Sequence, residues 1–182
     1  MNDYIILLRG INVGGKNKMP MVDLTKCLMG LGFTDVRTYI ASGNVILKSE
    51  KKSVEIQTLI EKTLPKYFNI DSELIKVLVL TRNQLKSVVI QRPKGFGEEP
   101  KKYHSDVIFM MDLNVIQALT VFNLKEGVDE VWPGKSVIYS QRLSSQRTKS
   151  RLSRITGTTA YKHMTIRTWN TVTRLLEIVQ TK

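Results

Sequence analysis

A single cysteine, Cys27, and two histidines in a chain of 182 residues remove several common chemistries at the outset. One cysteine cannot build an internal disulfide framework, and its spacing on an apolar stripe with Leu24, Leu28 and Leu31 makes it a core residue; both facts fit a reducing compartment. His104 and His163 have no cysteine or carboxylate neighbours at metal-ligand spacing, so no metal site and no cofactor is expected. No apolar run approaches the length of a membrane-spanning helix, and the amino terminus lacks the basic, apolar and small-residue order of a signal peptide. A cytoplasmic protein with no membrane partner is expected. Neither first strand of the halves described below carries the aromatic motif of ribonucleoprotein-type RNA binders.

Acidic residues are also scarce: 16 against 28 Lys and Arg, a formal charge of +12. None occurs between Glu130 and Glu177, a stretch that holds Lys135, Arg142, Arg147, Lys149, Arg151, Arg154, Lys162, Arg167 and Arg174. Such a field draws anions to one part of the surface, and nucleic acid or a phosphorylated ligand is the partner class it suggests. A solvated basic face that serves solubility is the plainer alternative. Against these absences, 42% of the residues are hydrophobic, enough for a real core in one domain or two small ones.

The apolar pattern has a recognisable order. Tyr4 to Leu8 is too continuously apolar for a half-exposed strand and reads as a central one. Pro20 to Leu31 has helical spacing and stops at Gly32. Val36 to Ile40 and Val45 to Leu47 read as strands turned by Ala41-Ser42-Gly43-Asn44, Ser53 to Phe68 as a helix, and Leu74 to Leu80 as a β-branched strand. The order strand, helix, strand, strand, helix, strand is the ferredoxin-like unit. After a short helix at 81–91 and a loop from Arg92 to His104, it recurs. Asp106 to Met111 is a strand, Leu113 to Phe122 a helix, and Val128 to Trp132 with Ser136 to Ser140 a hairpin at Pro133-Gly134. Thr148 to Ile155 reads as a basic helix, Ala160 to Met164 as a last strand, and Trp169 to Val179 as a closing helix with Thr168 as N-cap. The expected fold is α+β: a ferredoxin-like half at 1–80, a linking helix and loop at 81–104, and a second half with its closing helix at 105–182. The repeat is one of pattern, since the two halves are not visibly similar in sequence.

Three polar clusters fall at the ends of these elements. The first follows the first strand: Arg9, Gly10, Asn12, Gly14, Gly15, Lys16 and Lys18, a loop whose glycines can turn backbone N–H groups toward an anion. Gly10, Gly15 and Lys16 fit the phosphate-loop pattern, but Asn17 stands where a hydroxyl would hold Mg²⁺, and Met19-Pro20 replaces the start of a helix. The loop is therefore an anion-site candidate rather than a nucleotide-hydrolysis signature. The second cluster is Tyr39, Ser42 and Asn44 at the hairpin. The third is Thr165, Arg167, Trp169 and Asn170 at the start of the closing helix, where free N–H groups and the helix dipole favour an anion. Tyr39 and Trp169 are the candidate stacking rings. Arg147, Arg151 and Arg154, at i, i+4 and i+7, share one face of the expected basic helix and are the candidate nucleic-acid contacts. Turn shaping by Asn12 and Ser42, and core packing by Trp169, are the structural alternatives. Asp112, at the end of an apolar strand, imitates a nucleotide-hydrolase aspartate but belongs to an antiparallel pattern.

At these residues the chain resembles a known family. Leu7-Leu8-Arg9-Gly10-Ile11-Asn12-Val13-Gly14-Gly15, Thr38-Tyr39-Ile40-Ala41-Ser42-Gly43-Asn44-Val45 and Arg167-Thr168-Trp169-Asn170-Thr171-Val172 are similar to the motifs of a bacterial family known only as a domain of unknown function, number sixteen ninety-seven. In that family the last motif usually reads Arg-Asn-Trp, from which Thr168 departs. The resemblance implies an α+β fold of ferredoxin-like parts and supplies no activity, substrate or catalytic residue. Three functions stay open: a binding module for an anionic, phosphate-bearing ligand such as single-stranded nucleic acid; an enzyme on a small phosphorylated or carboxylated metabolite; and an interaction protein whose motifs only hold the fold.

Overall fold

The computed structural model describes residues 1–70 and 75–181. The chain forms two compact units, Met1–Lys86 with Leu175–Lys182, and Ser87–Arg174.

The first unit contains β1 (Asn2–Arg9), α1 (Met21–Gly30), β2 (Thr34–Tyr39), β3 (Asn44–Ser49), α2 (Ser53–Tyr67) and β4 (Lys76–Thr81). The strands pair antiparallel in the order β2-β3-β1-β4, the ferredoxin-like arrangement, with β1 central as its sequence implies. Tyr4, Ile6 and Leu8 face the helices and share a core with Leu24, Leu28, Ile56, Ile60 and Leu64. Ile5 and Leu7, which alternate to the opposite face, are fully buried too, and this two-sided burial is why the strand does not alternate in polarity. Cys27 lies in this core, where burial pushes its thiol pKa up and keeps it the neutral group its position implies. Each helix is fixed by its own chemistry. α1 ends in a Schellman turn, with Gly32 N–H donating to Met29 C=O and Phe33 N–H to Leu28 C=O. Glu61 Oε1 accepts the Val77 backbone N–H, 3.0 Å away, and ties α2 to β4. Leu74, placed by its sequence in the last strand, lies outside the described residues.

α3 (Arg82–Ile90) leads out of the first unit, and the second follows the same plan. Its strands are β5 (Tyr103–Met110), β6 (Asp129–Pro133), β7 (Val137–Leu143) and β8 (Met164–Thr168), antiparallel in the order β6-β7-β5-β8. One face packs Ile108, Met110, Ile138 and Met164 against Ala118 and Ile155. On the other face Phe96 meets Trp132, Tyr139 and Trp169 edge-on, with ring centroids 5.2–6.0 Å apart. The closing helix α5 (Trp169–Gln180) starts where Thr168 Oγ1 accepts the Thr171 N–H at 3.3 Å, which makes Thr168 its N-cap. Among the described residues no helix is long and apolar enough to cross a membrane.

Three sequence expectations fail here, each for a local reason. The helix expected at Leu113 to Phe122 contracts to α4 (Val115–Leu119), capped by Asn114, whose Oδ1 accepts the Ile116 N–H. The basic helix expected at Thr148 to Ile155 is absent. Three 3₁₀ segments, Ser144–Lys149, Leu152–Gly157 and Thr159–His163, replace it. A continuous α-helix needs the Arg151 N–H to bond four residues back, but that N–H donates instead to Asp129 Oδ2, 2.8 Å away. Ser and Thr hydroxyls complete the break: Ser150 Oγ accepts the Leu152 N–H, while Thr156 and Thr158 hydroxyls donate to carbonyls three residues back. The last 3₁₀ turn takes the place of the strand expected at Ala160 to Met164, and the strand runs at Met164–Thr168 instead.

Candidate functional site

The first two polar clusters form one interlocked structure in the first unit. Asn12 Nδ2 donates to Met19 C=O at 3.0 Å and to Ala41 C=O at 2.9 Å, and its Oδ1 accepts the Met19 N–H at 2.7 Å. One amide therefore closes the glycine loop on itself and clamps it to the hairpin. Leu8 N–H donates to Gly43 C=O at 2.8 Å in support. A side chain at Gly43 would place its Cβ 2.8 Å from Leu8 Cβ, so this approach requires glycine. Asn44, fully buried, donates through Nδ2 to Tyr39 C=O and Ser42 Oγ and shapes the turn from within. Within the loop, Lys16 N–H bonds Val13 C=O and Asn12 N–H bonds Asn17 C=O. Gly14 and Gly15, with φ of 57° and 75°, are the two central residues of a tight turn of the primed kind. No helix starts at Lys16; α1 begins at Met21.

The paired loops hold an unusual density of left-handed backbone. Gly10, Asn12, Gly14, Gly15, Asn17, Ile40 and Gly43 all have positive φ. Ile40, at φ 50°, is the most costly of these, because a β-branched side chain crowds its own carbonyl there. Strain of this kind persists only where surrounding bonds fix the conformation, and here Asn12 and Asn44 supply them. The outcome is a rigid edge that carries exposed Lys16 and Lys18, neither in an ion pair among the described residues, with half-buried Arg9 and Tyr39 behind them. Val13 and Ile40 add exposed apolar groups, 68% and 52% accessible.

The third cluster belongs to the second unit. Arg167 is only 8% exposed, and its Nη1 donates to Thr165 Oγ1 at 2.9 Å and to Ile166 C=O at 2.8 Å. Burial lowers its pKa to about 10, opposed by Tyr161, so the guanidinium stays charged at neutral pH. Trp169 is packed into the Phe96 ring cluster, and Arg92 stands over its ring at 5.8 Å. Asn170 is exposed on the first turn of α5.

Arg147, Arg151 and Arg154 do not share a helical face, since two separate 3₁₀ segments and the residues between them carry them. Arg151 is half-buried, its Nη1 donating to Asn123 Oδ1 at 3.1 Å. Arg147, Lys149, Arg154 and Lys162 are exposed and form no ion pair among the described residues. The anchor is Asp129, 5% exposed, whose Oδ2 accepts the N–H groups of both Lys125 and Arg151.

Both histidines have carboxylate partners that the sequence reading did not give them. His104 Nε2 is 3.2 Å from Asp106 Oδ1, and His163 Nδ1 is 2.6 Å from Asp112 Oδ1. The first pair was legible, because residues i and i+2 of a strand share a face. The second spans 51 positions and depends on the pairing of β5 with β8. Desolvation raises the pKa of Asp106, against the opposing pull of His104 and Arg142. Among the described residues no three such groups cluster around a metal-sized point. Asp112 also walls an open cleft of about 500 Å³, with Asn114 and Lys135 among its other walls.

A family model described as a protein of unknown function (DUF1697) matches residues 1–139. No curated protein matches. Among solved structures, the conserved bacterial protein SP0830 from Streptococcus pneumoniae is similar in fold, with a TM-score of 0.85 at 24% identity, covering 100% of this chain and 99% of that one.

Proposed function

From the premise that the chain belongs to the DUF1697 family of proteins of unknown function, we propose that it is a cytoplasmic binding module for a phosphate-rich anionic ligand, with single-stranded nucleic acid the class that fits. The observation that carries this reading is the uncompensated charge of the 3₁₀ region. Arg147, Lys149, Arg154 and Lys162 are exposed in a stretch with no acidic residue between Glu130 and Glu177. Short turns present these cations at irregular spacing, which suits a flexible phosphate chain better than the regular contacts of a helix in a groove. Lys16 and Lys18 on the rigid loop pair are the second group of cations in this reading.

Fluorescence anisotropy of a labelled oligothymidylate, measured across a potassium chloride series, tests the proposal. Affinity should fall steeply with salt, and Arg147→Glu with Arg154→Glu should flatten the slope by about 0.7 for each phosphate no longer neutralised. Salt-insensitive binding, or slopes unchanged by the charge reversals, would remove the 3₁₀ region from the interface. The enzyme reading has one observation in its favour, the His163–Asp112 pair at a cleft wall that includes Lys135, since a carboxylate on Nδ1 orients an imidazole for proton transfer. Saturable binding of a small phosphorylated compound that survives both arginine reversals would favour it.

A further inference from the structure

Ile40 is held where neither burial nor backbone preference favours it. Its φ of 50° lies in the left-handed region, an outlier for a β-branched residue, while 52% of its surface stays exposed. Asparagine or glycine would enter that backbone with less strain. An exposed aliphatic side chain kept there points to a use outside the fold. A second one stands at the same junction. Val13 is 68% accessible, and the Asn12–Ala41 hydrogen bond, 2.9 Å long, joins the chain neighbours of Val13 and Ile40. Single exposed apolar residues need no explanation, but two at one clamped junction do. The charge of the two loops has one sign. The sequence has no acidic residue between Asp3 and Asp23 or between Asp35 and Glu50, the stretches that hold both loops. Arg37 and Lys48 are already paired with Asp35, at 3.4 and 3.1 Å, whereas Lys16 and Lys18 are exposed and in no ion pair among the described residues.

We propose that the paired loops dock an acidic protein segment with aliphatic or aromatic side chains, Val13 and Ile40 making the apolar contacts and Lys16 and Lys18 the charge contacts. Charge complementarity selects the occupant: ammonium groups beside an aliphatic pair suit carboxylates interspersed with leucine-like side chains. A single-stranded nucleic acid is the poorer fit, because bases stack on flat rings and Tyr39, the ring of this hairpin, is half-buried. The proposal does not rest on the polyanion reading, whose carrying observation is the 3₁₀ region of the second unit.

The test is selection of phage-displayed random dodecapeptides on the whole protein, followed by fluorescence polarisation with the enriched peptides. These should combine Asp or Glu with Leu, Ile or Phe, and should shift the Val13, Gly14 and Ala41 amides in ¹⁵N spectra. Ile40→Asn suits the left-handed backbone and removes the aliphatic group, so the melting temperature should hold or rise while peptide affinity falls about tenfold. Val13→Ser should weaken binding similarly at an unchanged melting temperature, and Lys16→Gln with Lys18→Gln should reduce both affinity and its salt dependence. No enrichment, enriched peptides without acidic residues, or affinity unchanged in I40N and V13S would each overturn the proposal. So would a lower melting temperature for I40N with binding intact in V13S, which would mark Ile40 as a packing residue. Oligothymidylate that displaces the peptide and itself loses affinity in I40N would make nucleic acid the occupant instead. Failure of the arginine reversals in the 3₁₀ region leaves all of these outcomes untouched.

Discussion

Asn12 and Lys16 stand four positions apart in one motif, yet the structure gives them opposite kinds of work. Asn12 uses its amide three times on backbone groups of the loop and the hairpin, so Asn12→Ala should cost about 2–3 kcal/mol in chemical unfolding, at roughly 1 kcal/mol per hydrogen bond removed. Lys16 is exposed at the tip, and Lys16→Ala should leave that midpoint within error; an equal loss in both variants would mean the loop's stability does not run through the amide. Tyr139 gives a prediction with a sign. Desolvation raises its pKa to about 12 and its hydroxyl donates to Val88 C=O at 2.7 Å, so the folded protein keeps the proton after the unfolded chain has released it near 10. A raised folded pKa contributes stability that is complete below about pH 10 and lost as pH climbs toward 12. Tyr139→Phe should lose about 1 kcal/mol at neutral pH and show a shallower decline across that alkaline window, read from urea midpoints.

Among the elements, the region from Ser144 to His163 departs most from the sequence pattern. The apolar pair Leu152 and Ile155 supports a helical reading and is buried as one would bury it, but helical hydrogen bonding stops at Arg151 because Asp129 takes its N–H. Serine and threonine make the alternative cheap, since their hydroxyls satisfy nearby backbone groups. Asp129 is thus the pin of the basic region. Asp129→Ala should speed amide hydrogen exchange at Lys125, Arg151 and their neighbours while the amides of β5 keep their protection; uniform acceleration throughout the second unit would show that Asp129 holds the sheet instead. The glycine loop is the converse case. Its composition suggests an anion cradle or a turn, and the backbone spends its N–H groups on Val13 and Asn17 carbonyls in a tight hairpin. What it presents to solvent is lysine side chains.

At the level of the whole molecule, two units with no visible sequence similarity share one strand order, β2-β3-β1-β4 and β6-β7-β5-β8. Apolar spacing was sufficient to find both, because a ferredoxin-like sheet constrains mainly which positions are buried and how hairpins turn. The second unit keeps that order although 3₁₀ turns stand in for its second helix, since Ile155 still fills the core beside Ile138 and Met164. The sequence by itself determined the fold class, the central strands, the hairpin positions, the charge field and the core placement of Cys27, all of which follow from local composition and period. Only the tertiary structure decided that Asn12 joins the loop to the hairpin, that Asp129 stops a helix 22 residues away, and that His163 meets Asp112. Each of those depends on a hydrogen bond made between residues brought together by packing, and a polar side chain in a sequence carries no mark of which distant group it will find.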